Sequence, residues 1–172
     1  MSFLELAKKR CSVRKYQNKK VEDEKLLKIL EAARISPTAA NKQPEKLIVV
    51  QEQKNLDKIK KSGNVYSAPL VIIVTSDCTQ SWKRPYDNKD MSNIDGSIVS
   101  THIILQAVEL GLGTIWVEHF DPEILRKEFN IPENIVPVSI IGIGYADCKL
   151  ASPNRHDTER KSLDEIVVKE TF

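Results

Sequence analysis

Apolar residues recur along this chain with two different periods, and the switching between them predicts interleaved helices and strands. Residues 2–9 read as a short helix with Phe3, Leu4 and Ala7 on one side. A stronger helix follows: Glu22, Asp23 and Glu24 place negative charge on its first turn, Leu26, Leu27, Leu30 and Ala33 form its apolar stripe, and Pro37 marks its end. The β-branched run 46–50, bounded by Pro44, and residues 70–75 after Pro69 read as strands. Between them residues 55–61 have helical spacing at Leu56 and Ile59, with Gly63-Asn64 as the stop.

From Asp77 to Asn93 the chain is polar and irregular, with Trp82, Tyr86 and Met91 scattered through it. Two readings of 77–93 stand open, an active-site lid and a disordered stretch. Residues 98–110 are apolar on most faces and predict a central buried helix ending at Gly111 and Gly113. Residues 114–117 read as a short strand, Asp121-Pro122 opens a helix to Phe129, and 138–143 is the last core strand. The tail 146–172 is polar until Ile166-Val167-Val168, a candidate edge strand free to pair with another chain. The length of 172 residues suits one domain, spanning 1–172.

Charge narrows the partners. The 26 basic and 24 acidic residues nearly cancel, so the overall field gives no reason to expect nucleic acid or an anionic membrane. Residues 8–20 are the local exception, with Lys8, Lys9, Arg10, Arg14, Lys15, Lys19 and Lys20 and no acid among them. No apolar run approaches the roughly 20 residues that span a bilayer. Cys11, Cys78 and Cys148 are far apart and form no Cys-x-x-Cys pair, and no signal peptide is visible, so a reducing, cytoplasmic setting is expected. His102, His119 and His156 have no ligand spacing, and no metal is assigned; His102 reads as a satisfied residue of the central helix.

Two segments carry candidate chemistry. In Arg10-Cys11-Ser12-Val13-Arg14 two guanidinium groups and a hydroxyl gather around one turn, a donor set suited to phosphate oxygens. In Ser36-Pro37-Thr38-Ala39-Ala40-Asn41-Lys42-Gln43-Pro44 small residues admit close approach, and Asn41 and Gln43 offer amide groups to the edge of a flat polar ligand. Structural readings stand beside these: the arginines as ion-pair partners, Asn41 and Gln43 as ordinary turn residues, Cys11 as a small packing residue rather than a reactive thiol, and Trp82, Tyr86 and Trp116 as packing. There is no phosphate loop, no Gly-x-Gly-x-x-Gly, no Gly-x-Ser-x-Gly and no His-Glu-x-x-His.

Taken in order, Arg10-x-Ser12-x-Arg14, the 36–44 segment, Gly111-Leu112-Gly113-Thr114, Ile131-Pro132-Glu133 followed by Pro137-Val138, Gly142-Ile143-Gly144-Tyr145 and Arg160-Lys161-Ser162-Leu163 resemble the nitroreductase family of FMN-dependent oxidoreductases. The resemblance covers the chain end to end. It implies an α+β fold with a central, mostly antiparallel sheet flanked by helices, and an intertwined homodimer with FMN at the interface. By the same resemblance Arg10, Cys11, Ser12, Arg14 and Arg160 hold the phosphate and ribityl end. Pro37, Thr38, Ala39, Asn41 and Gln43 reach the flavin from the partner subunit, the tail 146–172 reaches that subunit, and Asn64, Glu118 and His119 lie at the ring.

The implied reaction is ping-pong hydride transfer from NADH or NADPH to FMN and on to a nitroaromatic, quinone or similar acceptor, with no catalytic side chain required. Same-fold alternatives are a reductive dehalogenase and a flavin-consuming enzyme, and a distant one is a non-catalytic module for phospho-ligands or nucleic acid. Two positions depart from the pattern: Glu45 stands where many relatives have an aromatic residue, and Thr158 where a tail lysine is usual, so Arg155 or Lys161 is the expected replacement. Lys42 or a ring-facing backbone N–H is the candidate positive partner for the reduced flavin.

Overall fold

The computed structural model describes all 172 residues. In chain order the elements are α1 (Phe3–Lys9), α2 (Asp23–Arg34), β1 (Glu45–Val50), α3 (Gln53–Ser62), β2 (Leu70–Asp77), α4 (Ser92–Glu109), β3 (Gly113–Val117), α5 (Pro122–Phe129), β4 (Ile135–Gly144), α6 (His156–Glu159) and α7 (Leu163–Ile166). The strands form one sheet in the order β1-β2-β4-β3, each neighbouring pair antiparallel. This is the α+β architecture the sequence predicts.

All eight residues of β2 are buried, because both faces of the sheet are covered. Leu70, Ile72 and Val74 point to one side, against Val99, Ile103 and Ala107 of α4, with Ile29 and Ala33 of α2 in the same cluster. Val71 and Ile73 point to the other, against Ile59 of α3 and Leu125 of α5. A bulge interrupts the β2–β4 ladder at Val74/Thr75. It turns two consecutive β4 residues toward α4: a Cβ on Gly96 would lie 2.8 Å from the Val138 methyls, and Ser139 Oγ lies 2.7 Å from Ser100 Oγ.

Local chemistry sets the helix ends. Asp121 Oδ1 accepts from the N–H groups of Glu123 and Ile124, with Pro122 at the first helical position, as its sequence predicts. Gly111 has φ 80°, the left-handed conformation that ends α4 without steric cost. Gly63 also ends its helix, yet its φ is extended; it is glycine because a Cβ there would meet Phe120 Cβ at 2.9 Å.

Three expectations change. Helix α4 starts at Ser92, six residues before the apolar run, because its polar first turn carries Ser92, Asn93 and Asp95 and hides the period. The irregular stretch shrinks to residues 78–91, since Asp77 closes β2. Its base is tied: Asp77 accepts from Thr79, Gln80 and Asn134, and a bridge joins Lys83 to Asp90. Finally, Ile166 closes α7 instead of opening a strand. A capping box between Ser162 and Glu165 nucleates that helix; Val167, just after it, is extended, and no strand of this chain pairs with it. No helix is long and apolar enough to cross a membrane.

Candidate functional site

The arginine segment is extended backbone, not a turn. Ser12 bridges Thr114 in parallel and the Val13 N–H donates to the Thr114 carbonyl at 2.8 Å, so residues 10–14 lie along the free edge of β3. Extended chain alternates its side chains. Cys11 and Val13 are therefore buried while Ser12 and Arg14 are exposed, and Arg10, half-buried, shares their face. The Arg-x-Ser-x-Arg spacing thus follows from a strand period. The close approach to β3 depends on Gly113, where a Cβ would sit 2.7 Å from Val13 Cγ2.

The tail brings further positive charge to this face. Burial lowers the Arg10 pKa first, and the neighbouring charges of Arg155 and Arg160 lower it further. Arg155 donates from Nη2 to the Arg10 carbonyl at 2.6 Å and from Nη1 to the Lys8 carbonyl at 3.2 Å. None of Arg10, Arg14, Arg155 or Arg160 has a carboxylate within 4.0 Å. The ion-pair reading of Arg10 and Arg14 therefore fails. Guanidinium groups without a counter-charge on one face are a donor set that fits an anion such as the phosphate of FMN. Thr158 makes only a local bond to the Arg155 carbonyl, at 3.4 Å.

A second group adjoins the first. Gly63 bridges Phe120, and the Asp121 N–H donates to the Ser62 carbonyl at 2.8 Å, which sets Asn64 beside Glu118 and His119. All three are exposed. Asn64 Oδ1 accepts from the Tyr66 N–H at 2.8 Å, and the Trp116 indole N–H donates to Glu118. Arg14 connects the two groups, its guanidinium carbon 5.8 Å from the Tyr66 ring centroid.

The Pro37–Gln43 residues stand apart. They contain a 3-10 turn, Ala39–Asn41, and lead into β1, at the edge of the sheet opposite β3. The Ala39 N–H donates to Asp95 at the start of α4, whereas Cys11 and Val13 share an apolar cavity of about 150 Å³ with Val108, Gly111 and Leu112 at the end of that helix. Thirteen residues of helix separate these points, about 20 Å at 1.5 Å per residue. One chain keeps the two candidate halves apart. Within its own half, Gln43 turns its amide onto the Asn41 carbonyl at 3.0 Å.

The fold has counterparts among known proteins. A model of the "Nitroreductase family" matches residues 7–62 and 57–145. The chain belongs to the nitroreductase family. A nitroreductase family protein from Clostridium difficile 630 is 50% identical, with a TM-score of 0.98 over the whole of both chains. An FMN-dependent nitroreductase from Clostridium difficile R20291 is 30% identical, with a TM-score of 0.83 over 99% of this chain and 100% of that one. A Methanothermobacter thermautotrophicus protein, named provisionally an NADH dehydrogenase/NAD(P)H nitroreductase, is 34% identical over 172 residues, covering 95% of this chain and 87% of that protein.

Two contributors were not assigned a role from the sequence. Tyr66 gave no signal. Asp95 did: it is the only Asp, Glu, Lys or Arg between Asp90 and Glu109, and a lone carboxyl group on a largely apolar helix requires a partner.

Proposed function

We propose that this chain is an NAD(P)H-dependent FMN oxidoreductase of the nitroreductase type, acting as a homodimer with two shared sites. The observation that carries the reading is the arginine cluster without counter-ions on one edge of the sheet, together with the amide-bearing 37–43 segment displaced to the other. FMN needs both kinds of partner, and two copies arranged about a two-fold axis supply them twice.

In this reading Arg10, Ser12, Arg14, Arg155 and Arg160 bind the phosphate end. Asn64, Glu118 and His119 border the ring from the same chain, and Asn41 and Gln43 border it from the partner. Gln43 has to release the Asn41 carbonyl to do so. When bound, FMN would supply the redox chemistry, ping-pong hydride transfer from NADH or NADPH on to a nitroaromatic, quinone or similar acceptor. The protein's own part is to orient the ring and exclude water, and the 78–91 segment and the tail 146–172 are assigned to covering the site and reaching the partner.

The dimer reading also draws on apolar exposure. Helix α1 buries no residue, and Phe3 and Leu4 are 68% and 70% exposed. The direct test is a flavin fluorescence titration followed by NADH and NADPH oxidation with nitroaromatic and quinone acceptors. Saturable binding at one FMN per chain and acceptor-dependent turnover support the reading; a protein that leaves FMN fluorescence unchanged overturns it.

A further inference from the structure

Residues 37–43 have an unusual backbone. Ala40, Asn41 and Gln43 adopt φ of 50°, 53° and 49°, left-handed values that cost energy in any residue with a side chain. Most of the bonds that hold this shape are internal: the Gln43 N–H donates to Thr38 Oγ1 at 3.0 Å, the Asn41 N–H to the Thr38 carbonyl at 2.9 Å, and Gln43 Nε2 to the Asn41 carbonyl. A single hydrogen bond ties residues 37–43 to another element. It runs from the Ala39 N–H to Asp95 Oδ1 at 2.9 Å.

Asp95 is itself 1% exposed, and its second oxygen, Oδ2, is buried with no hydrogen-bond partner. A carboxyl group placed so deep, with half of its acceptor capacity unused, is costly to keep for packing alone. We propose that Asp95 is a positioning residue: it clamps the left-handed segment at Ala39 and thereby fixes the directions in which Asn41 and Gln43 leave the backbone. The role rests on the FMN reading above, in which those amides border the ring in the partner's site. In this role Asp95 acts through the Ala39 N–H.

The test compares Asp95→Ala with Asp95→Asn, which keeps volume and one oxygen acceptor. Amide hydrogen exchange in the cofactor-free protein reads the clamp without reference to FMN. In Asp95→Ala, exchange at Ala39, Asn41 and Gln43 is expected to rise at least about tenfold while the β2 amides keep their protection, and FMN affinity to fall by a similar factor. Asp95→Asn is expected to recover most of both losses.

Unchanged exchange at residues 39–43 in Asp95→Ala overturns the clamp, as does an Asn variant no better than Ala. Should Asp95→Ala fail to fold, the labelled wild-type protein supplies the second measurement. Scalar coupling across the hydrogen bond between the Ala39 nitrogen and the Asp95 side-chain carbon supports the proposal, and its absence overturns it. Failure of the wild type to bind FMN would instead overturn the cofactor reading and leave the exchange result standing.

Discussion

Arg155 Nη2 donates to the Arg10 carbonyl oxygen at 2.6 Å, so a residue of the tail fixes the backbone of the N-terminal arginine segment. The same guanidinium lies close enough to lower the Arg10 pKa by its charge. One side chain thus both holds the segment and deepens its positive potential.

Truncation of Arg155 is therefore expected to act twice. Arg155→Ala should weaken FMN binding by about ten- to a hundredfold, in line with the roughly 1.5–3 kcal/mol of a charged hydrogen bond. Arg10→Ala combined with Arg14→Ala should cost at least ~2 kcal/mol. Inorganic phosphate provides an independent check, because an anion that binds only the folded state raises Tm. The phosphate-induced rise should be present in the wild type and absent in the double variant. Equal responses would show that these arginines do not form the anion site.

Gly113 should be intolerant of even one methyl group. A Cβ there would lie 2.7 Å from Val13 Cγ2 and 3.1 Å from Val13 Cβ, and Val13 is fully buried between Ser12 and Arg14. Gly113→Ala is expected to destabilise the fold by about 1–3 kcal/mol and to weaken FMN binding together with it, since the displaced strand edge carries the arginines. Gly111→Ala meets nothing within 4 Å and is opposed only by its φ of 80°, so it should lower stability with little effect on FMN. Denaturant titration and flavin fluorescence of the two variants separate the effects.

These cases show what the sequence makes legible. The helix and strand order can be read because apolar period and turn residues are local, and Arg10, Ser12 and Arg14 can be picked out because their donor chemistry is written in their types. Their geometry is not local. The segment reads as a turn, yet it is extended because it borrows the edge of β3 a hundred residues away. The Arg155 contact spans 145 residues and the Ala39–Asp95 contact 56, distances over which no periodicity carries information. Ile166 misleads for the opposite reason: β-branched composition suggests a strand from there on, and the nearby Ser162–Glu165 capping box takes Ile166 into α7.

Acid stability should depend on a cluster where α2 meets the end of β4. The Tyr145 hydroxyl donates to both Glu22 carboxylate oxygens, at 2.9 and 2.6 Å, and Lys25 Nζ donates to the same hydroxyl at 2.8 Å. The Tyr145 bond, ahead of Lys19, holds the Glu22 pKa down to about 2 from 4.5. A depressed carboxylate stabilises the fold above its unfolded pKa and loses that contribution as pH falls from about 4.5 toward 2. Tyr145→Phe should therefore be less stable than the wild type at pH 7, with the gap closing as pH is lowered through that window. Denaturant midpoints at pH 7 and pH 3 measure it; a gap that does not shrink in acid would show that Tyr145 acts through packing and not through Glu22.

The proposed dimer makes the sharpest demand on α1. A seven-residue helix is too short to persist on its own hydrogen bonds, and α1 buries none of its residues in its own chain. Its capping box, Ser2 with Glu5, fixes where it starts but provides no apolar contact. Phe3 and Leu4 leave an apolar surface exposed, and in the proposed dimer a second copy covers it while completing the cofactor site. The wild type should run in light scattering at about twice the 19.5 kDa chain mass. Phe3→Glu with Leu4→Glu should shift it toward the single-chain mass and lose FMN in parallel, although neither residue belongs to the arginine cluster or to the 37–43 segment. A variant that becomes monomeric and still binds FMN with wild-type affinity would show that one chain holds the cofactor unaided, and the division of the site between two sheet edges would need another explanation.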